Sequence, residues 1–474
     1  MSFGLLPVPL SPNDIWADSK KGARLTLLAW PDGPAEHEAA AQTRLPLRHC
    51  LSPADQVVSS WTPAEDRSAP TEVVLTVVCH GRCRHLSGRI ACQLARDADQ
   101  PTNLPFRQAS GFCSNMGKTL EGGTIPSLDG LRAISISIVL VSHAGYGSVV
   151  PGGLGVTIFF FLSGYLITTL LLDEQERSGR IDVGKFYLRR AFRLFPPLLV
   201  TLAIAYALVA AGQLSGGMTW TGVLAQLLYF ANYYGLFFDP GNTTAAGTGI
   251  LWSLAVEEHF YLVYPAVMVG LFALGLSKYR IATVLAMVCL VVLAWRIYLV
   301  AQPGYETQRT YYSSDTRVDS IVYGCLLALV ANPARAGSRE AANLLMPIPL
   351  MMLALSAAAL ALSIVWRDPI FRETYRYSLQ GLALMPFFYY SVRFSAHFPF
   401  TLLNTAMVAR IGVYSYAMYL IHHVVIYFVD RNLPWLFEKK PLLVLTTFAI
   451  AIFYASLLEV HVDSYFRRLR RKFR

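Results

Sequence analysis

The most regular feature of this sequence is a series of apolar runs that begins near residue 130 and continues to about residue 460. A transmembrane helix needs about 20 predominantly apolar residues to cross the hydrocarbon core of a bilayer. Eleven runs approach that length, at about 130–148, 152–172, 194–211, 219–237, 251–275, 281–300, 317–332, 346–365, 378–393, 408–428 and 441–460. The pattern predicts an all-α fold, a polytopic membrane helix bundle.

The placement of basic residues indicates that ten of the eleven runs cross the membrane. The link at residues 173–193 carries six Lys and Arg residues, and the C-terminal RRLRRKFR carries six more. Because cytoplasmic loops are enriched in Lys and Arg, we expect both segments, and the N-terminal flank two spans before the link, in the cytoplasm. An odd number of spans would separate the two termini, so we expect one broken element between 194 and 275, around NYYGLFFDPGNTTAAGTG. The prediction is about ten transmembrane helices in the cell (inner or plasma) membrane, with both termini cytoplasmic.

The first 115 residues lack such runs and show no sustained hydrophobic period. They are rich in Pro, Ala, Asp and Arg, and a methionine at position 116 directly precedes the membrane pattern. We interpret residues 1–115 as a poorly structured N-terminal extension, either disordered or an artefact of a start assigned upstream of Met116. Residues 116–474 then form the membrane domain.

The composition supports a membrane protein and excludes a nucleic-acid-binding one. Hydrophobic residues make up 54% of the chain and charged residues only 15%, whereas soluble domains carry about 25% charged residues. The net charge of +10 arises from basic residues clustered beside apolar runs, which is typical of membrane topology. Of the seven cysteines, Cys79 and Cys83 are spaced like a metal-binding pair, but no second pair follows, so no metal site is predicted.

An arginine and a histidine stand at the two ends of the apolar stretch DGLRAISISIVLVSH, at Arg132 and His143. Eleven residues advance an α-helix by about 1,100° and roughly 16 Å, so the two side chains share a face at different depths. An ionisable residue inside a span usually faces a cavity or a partner. Alternatively, Arg132 snorkels to the interface and His143 is a hydrogen-bonded structural residue.

A second concentration of charge is YLRRAFRLFPP, where Arg190 and Arg193 lie three residues apart on one helical face. Their guanidinium groups match phosphate oxygens in geometry. The alternative is an anchor that obeys the positive-inside rule.

The third is LWSLAVEEHFYLVYP, which places Glu257, Glu258 and His259 inside an apolar helix. Glu257 shares a face with Ser253 and Tyr261, each one turn away. A carboxylate there could orient a histidine or bind a polar substrate, or it could belong to a structural network.

The order of these stretches resembles the acyltransferase 3 family of membrane proteins, over about residues 125–460. The resemblance rests on five segments, which are IPSLDGLRAISISIVLVSHAG, PGGLGVTIFFFLSGYLIT, FYLRRAFRLFPP, LWSLAVEEHFYLVYP and YSYAMYLIHH. The family motifs fall on Arg132 and His143 (arginine-x10-histidine), on Arg190 and Arg193 (R-x-x-R), and on Glu257 and Glu258 (the glutamate motif). His259 occupies a position where the family commonly has Gln.

The resemblance implies an O-acyltransferase that moves an acyl group, often acetyl from cytosolic acetyl-CoA, to a hydroxyl of a carbohydrate, lipid-linked glycan or small-molecule acceptor. It implies no bound cofactor, with acyl-CoA as the donor substrate. Arg132, Arg190 and Arg193 would bind the donor. His143, as general base or nucleophile, would be catalytic together with Glu257 and Glu258.

Two other classes of protein share this composition. A proton-coupled multi-span transporter also places charged residues inside a helix bundle. A non-catalytic membrane sensor or scaffold is the third possibility. The arginine-histidine and R-x-x-R layout favours the acyltransferase.

Overall fold

The computed structural model describes residues 125–239, 243–335 and 347–470, together with the backbone of four strands nearer the N-terminus. The chain divides into two compact units, Met1–Gly122 and Gly123–Arg474. In the first unit, four strands form an antiparallel sheet in the order β1-β2-β4-β3. They are β1 (Ala17–Asp18), β2 (Gly22–Ala29), β3 (Gln56–Trp61) and β4 (Thr71–Val78). The rest of the predicted extension, with Cys79 and Cys83, lies outside the described residues.

The second unit is a helix bundle, which confirms the predicted all-α membrane domain. In its described part there are sixteen α-helices. They are α1 (Leu128–Val141), α2 (Gly152–Ser178), α3 (Val183–Ala210), α4 (Trp220–Leu227), α5 (Ala231–Phe237), α6 (Leu251–Ala273), α7 (Lys278–Val300), α8 (Thr307–Tyr312), α9 (Ser314–Val330), α10 (Pro347–Val365), α11 (Pro369–Glu373), α12 (Tyr375–Arg393), α13 (Ala406–Asn432), α14 (Pro434–Phe437), α15 (Lys440–Leu458) and α16 (Ser464–Arg470).

Eight helices in the described residues are long and apolar enough to cross a membrane. They are α1 with its continuation to Tyr146, α2, α3, α6 with the turn before it, α7, α10, α13, and α15 with its continuation to Leu469. Two further long helices, α9 with 17 residues and α12 with 19, pack among them. The protein is therefore a multi-pass membrane protein with about ten long helices, as the apolar runs predicted.

The apolar run at 219–237 is not a continuous helix. It forms α4, of eight residues, and α5, of seven. Tyr229 between them has a positive φ of 56°, a backbone conformation that interrupts a right-handed helix. Eight helical residues rise about 12 Å, well short of the roughly 30 Å hydrocarbon core. A broken element therefore lies between 194 and 275, as expected, but the break at Tyr229 precedes the stretch NYYGLFFDPGNTTAAGTG where it was predicted, and the first residues of that stretch form α5.

Small residues allow the central helices to approach closely. Gly164 on α2 faces the backbone of Ile321 on α9, and Gly324 on α9 faces the backbone of Phe161 on α2. A methyl group at either glycine would overlap a carbonyl oxygen of the other helix. Membrane helices use small residues in this way because lipid provides no hydrophobic drive for their association. The apolar window of α2 is 78% buried, compared with 11% for α10, so α2 is central and α10 peripheral.

Candidate active site

His143 lies where α1 departs from regular helical geometry. The regular helix ends at Val141, and the next turn, Ser142–Tyr146, is a π segment with non-helical backbone at Ala144 and Gly145. Gly145 has a φ of 97°, which glycine adopts without steric penalty. Single π turns occur frequently at functional sites. The backbone from Arg132 to Ser142 keeps right-handed helical geometry, and His143 lies in the π segment just before the non-helical residues, where it lines a cavity.

Three imidazoles meet at this position, from His143 and from His422 and His423 on α13. The ring of His143 is stacked parallel to that of His422, with centroids 5.2 Å apart, and lies 4.6 Å from that of His423. Nδ1 of His143 and Nε2 of His422 are 2.9 Å apart, within hydrogen-bond distance. His422 is fully buried, and Nδ1 of its ring lies 2.6 Å from the carbonyl oxygen of Tyr419.

These contacts define the tautomers of the neutral rings. A carbonyl oxygen only accepts, so Nδ1–H of His422 donates to Tyr419 O and Nε2 of His422 is an acceptor. Nδ1–H of His143 then donates to His422, which leaves a lone pair on Nε2 of His143. No hydrogen bond from a described residue reaches that nitrogen. The arrangement resembles an orienting group and a base in an acid–base pair, with His422 as the orienting group.

The cavity beside His143 has a volume of about 840 Å³, within the range of small-molecule sites. His143 and His423 line it, together with an aromatic set. The aromatic members are Tyr234, Trp252, Tyr311, Tyr312, Tyr419 and Tyr427. A cavity with apolar walls and a few convergent polar groups is the usual form of a ligand site.

The second cluster of predicted residues is centred on Arg190 and Glu258. Their side chains form an ion pair at 3.0 Å and are only 17% and 19% exposed. The guanidinium carbon of Arg190 lies 3.1 Å from the centre of the Tyr261 ring, a cation–π contact. Arg190 therefore already has an anion and an aromatic face as partners within the protein.

Glu257 belongs to the same cluster. The hydroxyl of Tyr261 donates to its Oε2 at 3.5 Å, as the spacing of one turn predicted. Its carboxylate also interacts electrostatically with Arg190 and Arg132. Arg132 forms an ion pair with Asp129 at 2.6 Å, one turn earlier on α1. The structure thus brings four of the six predicted site residues, from α1, α3 and α6, into one region.

Arg193 and His259 have different surroundings. Arg193 lies one turn beyond Arg190 on α3 and is exposed. Nδ1 of His259 lies 2.7 Å from the hydroxyl of Ser314, and its ring stacks near Tyr233. His259 is therefore packed between α6, α5 and α9.

One hydrogen bond links the region of Arg190 to the histidines. The hydroxyls of Ser253 on α6 and Tyr419 on α13 are 2.7 Å apart. Ser253 lies one turn before Glu257, and Tyr419 lies one turn before His422. This contact joins α6, which carries Glu257 and Glu258, to α13, which carries His422 and His423.

Sequence reasoning gave no role to His422 or His423, although the motif YSYAMYLIHH contains both. The signal was present, because two adjacent histidines in an apolar run are costly unless they face a cavity or a partner. In the part of the chain that the structure describes, no group of three or more His, Cys, Asp or Glu side chains is arranged to hold a metal ion.

Comparison with known proteins gives a family match over most of the membrane domain. The acyltransferase 3 family, described as an acyltransferase domain, matches residues 125–459. The peptidoglycan O-acetyltransferase OatA of Listeria monocytogenes is 31% identical over 212 residues, which are 44% of this chain and 34% of OatA. YrhL of Bacillus subtilis, provisionally named for the same activity, is 33% identical over 232 residues, 47% of this chain and 36% of YrhL. The matched region spans about a third of the length of these relatives. No solved structure matches.

Proposed function

Because the chain belongs to the acyltransferase 3 family, we propose that it is an integral membrane O-acyltransferase. It moves an acyl group, acetyl in the simplest case, from a cytosolic acyl-CoA to a hydroxyl of a carbohydrate or other acceptor. The observation that carries this proposal is the hydrogen-bonded pair of His143 and His422, which leaves Nε2 of His143 as an acceptor in a cavity of substrate size.

In the proposed reaction His143 acts as general base. The acceptor hydroxyl donates its proton to Nε2 of His143 while its oxygen attacks the thioester carbonyl carbon. The new C–O bond forms as the C–S bond breaks, and the CoA thiolate then takes the proton from the imidazolium. His422 accepts the Nδ1–H of His143 throughout, so it holds the ring in place and stabilises the imidazolium.

The same nitrogen would serve if His143 were the nucleophile. Nε2 would then attack the thioester, release CoA and carry the acyl group until the acceptor hydroxyl displaces it. Rapid denaturation at neutral pH during turnover with radiolabelled acetyl-CoA distinguishes the routes, because only the second leaves label on the protein.

We assign the donor to the end of the bundle that carries the basic link at residues 173–193. Arg190 and Arg193 lie at that end of α3, and Arg132 interacts with the same carboxylate as Arg190. Guanidinium groups bind phosphate oxygens with matched geometry, and CoA carries several phosphates. We assign Glu258 the role of holding Arg190, and Glu257 that of positioning the acceptor or the donor beside Tyr261.

The proposed topology follows from the number of long helices. When α9 and α12 are included with the eight long apolar helices, ten crossings place both termini on one side. The basic link between α2 and α3 makes that side the cytoplasm. His143 then lies toward the opposite face of the cell membrane, where an exported glycan would be acylated.

Acetyl transfer in membrane vesicles tests the proposal. Inside-out vesicles with the wild-type chain, with His143→Ala or with neither should be supplied with radiolabelled acetyl-CoA, and base-labile acetate on surface glycans measured. The wild type should release CoA and label the glycan, and His143→Ala should do neither while remaining inserted. His397→Ala, which changes an exposed histidine at the end of α12, is the matched control. Accumulation of a solute without CoA release would indicate a transporter instead.

A further inference from the structure

A second cavity, of about 230 Å³, lies next to the one that contains His143. Three arginines line it, Arg367, Arg372 and Arg376, and none of its lining residues in the described structure is an Asp or a Glu. Hydroxyl groups of Ser142, Tyr311 and Tyr377 and the amide of Gln380 complete its polar wall. Its charge is therefore of one sign, unlike the larger cavity, which also has Asp239 and Glu373 in its walls.

From this arrangement, we propose that the acceptor carries an anionic group, a carboxylate or a phosphate, which binds Arg372 and Arg376 while an acceptor hydroxyl reaches His143. This inference rests on the proposed acyl transfer and names the chemical class of its acceptor.

The hydrogen-bonding state of the two arginines supports an anionic ligand. The side chain of Arg372 is exposed and has no hydrogen bond or ion pair with a described residue. Arg376 donates to the hydroxyl of Tyr377 at 2.9 Å, but its Nε is buried and has no partner in the described structure. A buried donor without an acceptor is destabilising. A carboxylate or phosphate would satisfy it with a charge-assisted hydrogen bond.

The acidic residue between these arginines is engaged elsewhere. Glu373 is 7% exposed, and its Oε2 accepts a hydrogen bond from Thr310 at 2.7 Å. Glu373 interacts electrostatically with Arg376, but it makes no ion pair with Arg372 or Arg376 within 4 Å. The positive charge of the small cavity is therefore only partly neutralised by the protein.

A further guanidinium lies behind this wall. Arg317 is fully buried and is 4.0 Å from the centre of the Tyr377 ring, while Arg376 is 4.8 Å from the same ring. Arg296 also lies 5.4 Å from this ring, so Tyr377 contacts three cations, and its contact with Arg376 restrains that side chain. The third lining arginine, Arg367, donates to the carbonyl of Ser148 and so connects the cavity wall to the segment that follows His143.

The two cavities share a wall, which gives the proposal its geometry. Gly152, Tyr311, Arg372 and Arg376 line both cavities. Ser142, the neighbour of His143, lines the smaller one. One molecule with its anionic group in the smaller cavity can therefore extend into the larger cavity toward Nε2 of His143.

The position of these arginines in the proposed topology also requires an explanation. Arg367 and Arg372 lie between α10 and α12, and Arg376 lies in the first turn of α12, at the end of the bundle that the proposed topology puts opposite the basic link between α2 and α3. The positive-inside rule leaves that end poor in Lys and Arg. Arginines clustered at the non-cytoplasmic end do not help to orient the protein in the membrane. Binding of an anionic ligand would explain why they are there.

The test uses the full-length protein in phosphatidylcholine nanodiscs, with binding measured by calorimetry. The probes are glucose 1-phosphate, glucuronate and neutral glucose. We expect the two anionic probes to bind at least 10-fold more tightly than glucose. Arg372→Ala and Arg376→Ala should each weaken the anionic probes at least 10-fold. Arg431→Ala is the matched control, because it removes an exposed arginine bonded to the carbonyl of Gly212 and lines neither cavity.

Several outcomes would overturn the proposal. Glucose binding as tightly as the charged probes, or Arg372→Ala binding them as the wild type does, would remove the anion site. Nanodiscs with phosphatidylglycerol separate the sources, since loss of probe binding there would assign the site to a lipid headgroup instead of the acceptor. A raised KM for acetyl-CoA in Arg372→Ala would assign it to the donor. Anion binding without any acetyl transfer would leave the site intact and refute the proposed function alone.

Discussion

The two polar regions of this bundle differ in whether the protein itself provides partners for their charged and polar groups. Near the basic link, Arg190 is paired with Glu258 and covered by Tyr261. Near the two cavities, Arg372 has no partner among the described residues, and Nε2 of His143 is equally open. Partners within the protein stabilise the first region without a ligand, whereas the second has unused hydrogen-bonding groups beside empty volume. The difference indicates that the second region can receive a molecule without first breaking an ion pair of its own.

The two arginines of the R-x-x-R motif differ in their exposure. A phosphate that binds Arg190 must compete with the carboxylate of Glu258 or displace it. Arg193 lies one turn away on α3 and is exposed. We therefore expect Arg190 to orient the donor end of the bundle and Arg193 to meet the donor first.

The largest effect on activity is expected from substitution of His143, whose Nε2 has no hydrogen-bond partner among the described residues. His143→Ala removes the proposed base, and general bases contribute about 100- to 10,000-fold to a rate, so acyl transfer should fall about 1,000-fold. CoA release from acetyl-CoA in vesicles measures it, with His397→Ala as control. Unchanged transfer with normal membrane insertion would remove His143 from the mechanism.

The next largest effect is expected from substitution of Arg190, which forms an ion pair with Glu258. Arg190→Ala leaves Glu258 largely buried without its cation, and breaking a buried pair from one side costs about 3–5 kcal/mol. We expect a lower melting temperature and a raised KM for acetyl-CoA. The double variant Arg190→Ala with Glu258→Gln should recover much of the stability but not the KM, since it removes the unpaired charge and not the need for a guanidinium. Recovery of both would make the pair purely structural.

A smaller effect is expected at His422, which we regard as a positioning residue. His422→Ala removes the acceptor for Nδ1–H of His143, one partly buried hydrogen bond worth about 1 kcal/mol, so the rate should fall roughly 5- to 10-fold. His422→Gln should restore most of it, because a side-chain amide can donate to Tyr419 O and accept from His143. The pH profile of kcat should change in His422→Ala and return in His422→Gln. A purely structural role would lower protein yield without moving that profile.

The fold was largely predictable from the length and spacing of apolar runs. The run at 251–275 became α6 at Leu251–Ala273, and the run at 219–237 broke where Tyr229 takes a positive φ. Such features depend on local sequence, because each span satisfies its own backbone hydrogen bonds. The π turn at Ser142–Tyr146 was not predictable, because its sequence carries no distinctive pattern.

The site was predictable only in part. The residues within one helix, such as Glu257 and Tyr261, follow from the helical period. The contact between Arg190 and Glu258 joins positions 68 residues apart, and that between His143 and His422 joins positions 279 apart. These contacts depend on which helices pack together, and a single sequence does not specify that.

The smallest effect is expected from loss of the hydrogen bond between Ser253 and Tyr419, which joins the region of Arg190 to that of His143. Ser253→Ala removes the contact between its hydroxyl and that of Tyr419, but Tyr419 keeps its hydrogen bond to the carbonyl of Ile250 at 3.2 Å. A neutral hydrogen bond contributes about 0.5–1.5 kcal/mol, and the remaining bond reduces the loss, so the rate should fall only about 2- to 3-fold. Ser456→Ala is the control, because Ser456 is a half-buried serine on α15 whose hydroxyl donates to the carbonyl of Phe453. A loss from Ser253→Ala as large as that from His143→Ala would mean that the two regions act as one continuous network, and their separation into a paired end and an open end would no longer hold.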